Sequence, residues 1–136
     1  MRRSGTLTDT DSSGDSVAVN VQQVLNPAPP VTEFDAAPVG DQLVAVELSV
    51  TSNGLAPFTD DMNNDVTIIG SNSQTYTTGV ESIAGCTNFD FGDVNLTTGT
   101  SATGCVSFEI PDGVNPAQVD FTLESGFGGA PVKWNG

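Results

Sequence analysis

Histidine is absent from this 136-residue chain, and that one absence removes most familiar catalysis. Triad chemistry and most general acid–base catalysis use an imidazole, and zinc sites of the usual kind lose their nitrogen ligand. Cations are nearly missing too: Arg2, Arg3 and Lys133 stand against 17 Asp and Glu, for a formal charge of −14 at neutral pH. Nucleic acid is thereby excluded as a partner, because phosphate contacts need Lys and Arg to displace counterions. An anionic membrane surface would repel the chain for the same reason. No apolar run approaches the roughly 20 residues that a membrane-spanning helix requires, so membrane insertion by this segment is not expected. Thiols are confined to Cys86 and Cys105. They form no CxxC motif, which leaves redox catalysis without its usual spacing.

What is present points to strands. Hydrophobic residues make up 37% of the chain and charged residues 15%, with 15 Gly and 8 Pro scattered without period. Thr, Ser, Val, Gly and Asn in that proportion suit short strands joined by tight turns. The length fits a single β-sandwich domain over residues 1–136. Met1-Arg2-Arg3-Ser4 carries basic residues without the apolar run of an export signal. Residues 1–5 are therefore expected to be a disordered start standing where a removed leader would be. Two cysteines in a Thr-rich β domain read as a structural disulfide, and hence as an oxidising compartment. Closing a loop of that size is worth about 3 kcal/mol in the chain-entropy model.

Alternation locates the strands. Thr6 to Asp9 is a short polar strand, and Val17, Val19 and Val21 alternate with Ala18, Asn20 and Gln22. Asn26-Pro27-Ala28-Pro29-Pro30 ends that run, since proline removes ladder donors. The clearest strand is Gln42 to Ser52, with Val44, Val46, Leu48 and Val50 on one face and Ala45, Glu47, Ser49 and Thr51 on the other. Asn53-Gly54 is a turn signal, and Asp60 to Asp65 reads as a polar turn before Val66–Ile69. Gln74–Thr78 pairs back as a hairpin. Gly79 to Asn95 shows no clean period. Val106, Phe108 and Ile110 share one strand face, with Cys105, Ser107 and Glu109 opposite. Val119, Phe121 and Leu123 follow, and Val132-Lys133-Trp134 is expected to dock Trp134 on the sandwich edge. The expectation is an all-β, immunoglobulin-like antiparallel sandwich of seven to eight strands, each sheet having one wet face. The parity of Cys105 places the disulfide outside a sheet, strapping the Gly85–Asp90 loop, unlike the buried inter-sheet bridge of antibody domains.

Three stretches carry a family resemblance. Phe34-Asp35-Ala36-Ala37-Pro38-Val39-Gly40-Asp41-Gln42-Leu43-Val44-Ala45-Val46 leads into a strand and Asn53-Gly54. Tyr76 and its hairpin come second. Thr98-Gly99, Gly104, Phe108 and Pro111 then form a small-polar-Gly-x-x-x-x-Gly-x-x-x-Phe-x-x-Pro segment that runs on to Gly113. From Leu7 to Trp134 the chain resembles the DUF4352 family of secreted bacterial domains, a family similar to the mycobacterial immunoprotective extracellular protein. Gly85-Cys86 with Gly104-Cys105 looks like the cysteine pair of its actinobacterial members. The resemblance implies an immunoglobulin-like sandwich, exported or lipid-anchored through a leader in a Gram-positive bacterium, with no catalytic residues to carry over. Scarcity of Lys departs from many relatives.

Two acidic stretches are the candidate ion sites. Asp9, Asp11, Ser13 and Gly14, in the Asp9–Asp15 turn, fall at the first, third, fifth and sixth places of a calcium-loop pattern. The pattern breaks at Asn20, where a bidentate Glu would close the shell, and the same residues build ordinary turns. Asp60, Asp61, Asn63, Asn64 and Asp65 also offer oxygen ligands. No cofactor is expected; calcium is the one ion the residues suggest. Asn95-Leu96-Thr97 matches a glycosylation acceptor that arises often by chance. Phe127, in a Gly-rich tail, is expected to cap the core. The leading reading is a non-catalytic extracellular or cell-surface binding module whose acidic loops meet a basic protein partner. The alternative is a calcium-stabilised structural or adhesive domain.

Overall fold

The structure, a computed structural model, describes residues 6–10, 16–52, 58–61, 65–79, 81–87, 93–96, 99–122 and 132–135. In chain order the strands are β1 (Thr6–Thr10), β2 (Ser16–Leu25), β3 (Asp41–Ser52), β4 (Phe58–Asp61) and β5 (Val66–Gly70). They continue as β6 (Thr75–Thr77), β7 (Asp93–Leu96), β8 (Ser101–Pro111), β9 (Pro116–Phe121) and β10 (Val132–Asn135). Two four-stranded antiparallel sheets, ordered β1-β2-β3-β8 and β10-β9-β5-β6, build the sandwich, and β4 with β7 forms a separate two-stranded ribbon. The eight strands of the two main sheets stand beside an expectation of seven to eight, and the ribbon adds a further pair.

Alternation decides which side chains meet between the sheets. Val44, Val46, Leu48 and Val50 of β3 face Val106, Phe108 and Ile110 of β8 across one ladder, and all are fully buried. Val66, Ile68, Val119 and Phe121 close the core from the second sheet. Each such side chain contributes about 1.5–3 kcal/mol on leaving water. In β2 the inward set begins on odd numbers and ends on an even one. A register shift between Val21 and Gln23 moves Val24 opposite Val46, where it packs on the same core. A bulge of this kind inserts one residue and so exchanges the two faces beyond it.

Three features differ from the alternation pattern. The outer face of the first sheet is covered over part of its length. Leu43 and Ala45, which point away from the main core, form a second buried cluster with Ala28 and Ile83, against which Leu25, Ala37 and Cys86 pack. The cover is the chain between β2 and β3 together with residues 81–87, joined by the Pro30–Ile83 bridge and by Ala84 N–H donating to Pro29 O at 2.8 Å. Small and apolar residues at alternate places on β3 make that second burial possible. Trp134 does not rest on the rim: it is 1% exposed and belongs to the main core, carried in by β10 at the sheet edge. Asp60 and Asp61 are not in a turn either. They lie in β4, with Asp60 opposite Val94 and Asp61 opposite Asp93. Leu123 and Phe127 lie outside the described residues.

Candidate functional site

Cys86 and Cys105 form a disulfide across 19 positions, on the outer face of the first sheet. Cys105 N–H donates to Thr87 O at 2.9 Å, so the covering layer is tied to β8 by a ladder-like bond beside the covalent one. Glu47, opposite Cys105 in the register, brings Oε2 to 3.3 Å from the Cys86 sulfur and accepts from Gln23 Nε2. Glu47 with the two cysteines is a grouping of potential metal-ligand atoms among the described residues. Its sulfurs are spent on each other, and a disulfide lacks the thiolates that a metal requires.

Two residues further along β8 the same face turns acidic. Ser107, 1% exposed, is the clip: its carbonyl accepts from Gly79 N–H at 2.8 Å, and its hydroxyl accepts from Glu81 N–H at 3.1 Å. That hydroxyl donates in turn to Glu81 Oε1 at 2.8 Å. A Cβ at Gly79 would displace the Glu81 carboxyl from its place beside Ser107. Glu81 is 8% exposed, while Glu109, next on the outward parity of β8, is exposed and lines the same hollow.

Two carboxyls lining one hollow disfavour each other's ionised form. The hydrogen bond to Glu81, then partial burial and the negative charges of Glu81 and Asp41, push Glu109 up to about 7. Burial works against ionising Glu81. The hydrogen bonds it receives from Glu109, from its own backbone and from Ser107 nevertheless hold it below the usual carboxylate range. Asp35 reinforces the layer from the 3-10 turn at Glu33–Asp35. Its Oδ1 accepts from Ser82 N–H at 3.0 Å, and that bond foremost lowers its carboxyl from the ordinary value. Thr32 and Asp35 complete a capping box that fixes this turn.

The acid pair borders an open hollow of about 440 Å³ lined by Thr75, Tyr76, Thr77, Thr78, Gly79, Glu81 and Glu109. It lies where β6 ends the second sheet and β8 ends the first. Asn72 Nδ2 donates to the Tyr76 hydroxyl at 2.9 Å and holds the ring's outer end. In the hairpin Gly70 N–H donates to Gln74 O. Antiparallel alternation from that bond turns the backbone groups of Thr75 and Thr77 toward the free edge. The hollow thus offers hydroxyls, one aromatic face, a strand edge and two carboxyls.

The ion-site candidates are distributed differently. Asp9 lies in β1 opposite Val17, and Asp11 and Asp15 lie outside the described residues. Asp65 precedes β5, 3% exposed, and its carbonyl accepts from Thr122 N–H. Glu81, Ser107 and Glu109 were not singled out by sequence. The parity of Cys105 already put Ser107 and Glu109 on one face, but Glu81 sits in the aperiodic stretch and had no such signal.

A family model described as a domain of unknown function, DUF4352, matches residues 8–132. Among the curated proteins, none matches the chain in sequence. Solved structures share the fold at low identity. MPT63, a secreted protein of Mycobacterium tuberculosis, is 15% identical with a TM-score of 0.65, over 97% of this chain and 92% of that one. A candidate lipoprotein of Bacillus subtilis is 15% identical with a TM-score of 0.63, over 98% of this chain but 38% of that one. This chain therefore spans well under half the length of the Bacillus protein. A functionally unknown protein of Listeria monocytogenes is 13% identical with a TM-score of 0.55, over 99% of this chain and 88% of that one.

Proposed function

The chain belongs to the DUF4352 family, and from that membership we propose that it is a non-catalytic module, exported or held at the cell surface, that binds a basic protein partner. A secreted protein and a candidate lipoprotein among its structural neighbours support the location, as does a disulfide, which persists in oxidising compartments. The observation that carries the binding reading is the acid-bordered hollow between the edges of β6 and β8. A chain of charge −14 steers cationic partners toward it, and Tyr76 with the Thr hydroxyls supplies contact around the charges. The same geometry argues against catalysis. Glu81 spends its carboxyl on the buried Ser107 hydroxyl, and the chain has no His to serve as a base.

Titration with a lysine-rich probe peptide at low salt tests this reading. Glu81→Gln with Glu109→Gln is expected to weaken binding about tenfold, as for charge pairs at an interface, and Asp60→Asn with Asp61→Asn to weaken it less. Affinity unchanged in both double variants would sink the proposal. Asp65, being buried, offers a partner no surface.

A calcium-stabilised surface domain is the second reading, favoured by one observation: the β4–β7 register sets Asp61 directly opposite Asp93. Like charges so placed destabilise a ladder, and a divalent cation would relieve them. Thermal melts in EDTA, in millimolar calcium and in sodium chloride at matched ionic strength separate the cases. A rise specific to calcium, lost in Asp61→Asn, supports the ion. Equal rises in calcium and sodium mean general screening of the charge.

A further inference from the structure

We propose that the free edge of β6 takes up an extended segment of a basic protein partner as an added strand, its alternate lysine or arginine side chains turned toward the Glu81–Glu109 end of the hollow. This mode of capture rests on the docking reading of the hollow and adds how the partner is held. Main-chain hydrogen bonds supply the grip, and the carboxyls select the side chains.

Among the described residues, β6 is the sheet edge left open beside the acid pair. β1 and β10 lie at the far edges of their sheets from β8 and β6. The edge of β8 is already covered, since Ser107 O accepts from Gly79 N–H and Cys105 N–H donates to Thr87 O. In β6, Tyr76 turns its backbone groups to Ile68 of β5, which leaves those of Thr75 and Thr77 pointing outward. The same parity carried on to Gly79 is already in use, for its N–H reaches across to β8 at 2.8 Å. Thr75 and Thr77 are exposed, and among the described residues nothing bonds their outward N–H and C=O groups. Such a row of unmet donors and acceptors is a template for another strand, and β6 carries no Lys or Pro to blunt it.

The edge is also held ready. Ser73, at φ 66°, closes the Gly70–Ser73 turn through a 2.9 Å bond. Asn72 accepts from Gln74 N–H and donates to the Tyr76 hydroxyl, so the hairpin is fixed at its tip and along its length. A partner therefore meets a strand that needs no ordering, which favours binding. Charge decides the occupant. Glu81 and Glu109 border the hollow where β6 runs toward β8, and a second copy of this chain would bring its own charge of −14. Side chains alternate along a strand, so one set of the segment's residues faces the hollow and the other faces away.

The probe is a synthetic peptide alternating threonine with lysine, titrated by calorimetry at low salt in three forms: unmodified, N-methylated on its threonines, and N-methylated on its lysines. Methylation removes main-chain donors without changing charge. In an added strand the N–H groups point alternately to β6 and to solvent. One methylated form is therefore expected to bind about tenfold more weakly, as for one or two lost hydrogen bonds, and the other to match the unmodified peptide. Thr77→Pro should weaken the unmodified peptide to a similar degree at an unchanged melting temperature. Its N–H faces away from β5, and proline is tolerated at such an edge position. Equal affinity of the two methylated forms would overturn strand addition, as would full binding to Thr77→Pro. If Glu81→Gln with Glu109→Gln still weakens the peptide in that event, docking of a basic partner stands by charge alone. An unmodified peptide that fails to bind the native protein overturns both.

Discussion

Trp134→Ala is expected to cost about 3–5 kcal/mol, the usual penalty for emptying a buried aromatic site. A domain of this size holds about 5–15 kcal/mol in all, so the variant should sit near the threshold of folding. The reason lies in how Trp134 reaches the core. It comes from β10, a four-residue edge strand whose partner in the sheet is β9. Among the described residues, no strand of that sheet lies beyond β10. Chemical denaturation followed by circular dichroism measures the loss, since the variant has no tryptophan left to fluoresce. A change below about 1 kcal/mol, well under the range for core aromatics, would mean that β10 only decorates the sandwich. Trp134→Phe should recover a good part of the difference by refilling the cavity.

Removing the disulfide should be the next largest loss. Replacing Cys86 and Cys105 with Ala frees a loop of 19 positions, worth about 3 kcal/mol of chain entropy. A melting temperature lower by roughly 10–15 °C follows for a chain of intermediate length. The far-ultraviolet spectrum should keep its β form, because β8 remains laddered to β3 from Asp41–Pro111 to Thr51–Ser101 without help from sulfur. What should loosen is the outer layer, where Cys86 packs with Ile83 and Ala37. Proteolysis confined to residues 79–92 would be the signature of that loosening. A thiol assay finding both cysteines free in the native protein would remove the basis for the prediction.

The strands that face water on one side and core on the other were legible from alternation alone. Glu47 to Thr51 and Val119 to Phe121 are the clearest cases, because a period of two is unambiguous where only one face is buried. Reading failed where both faces are covered. Ala45 stood with Glu47, Ser49 and Thr51 on the face opposite the core, and only the layer folded back over it and Leu43 shows why both are apolar. The stretch after Gly79 was opaque for a related reason. Its residues are fixed one at a time, Gly79 and Glu81 by Ser107, Ser82 by Asp35, Ile83 by Pro30 and Cys86 by sulfur. No repeating face exists for a sequence pattern to record. Asp60 and Asp61 misled in the opposite direction, since Asp and Asn favour turns and the ribbon pairing of β4 with β7 overrides that local preference.

The ladder between β3 and β8 has a bearing on when this chain can fold at all. It joins Asp41 to Pro111, and β5 to β6 is the one hairpin of close neighbours in the second sheet. Pairings between distant segments must pay loop closure before any contact rewards them, and sandwiches of this kind fold in milliseconds to seconds. A growing chain therefore holds β3 with β2 on one side but nothing on the other until β8 has been synthesised. During that interval one edge of β3 stays open, and Val106, Phe108 and Ile110 are not yet there to close the core. For a protein proposed to work outside the cell, late closure of one ladder serves as a built-in delay between synthesis and compaction.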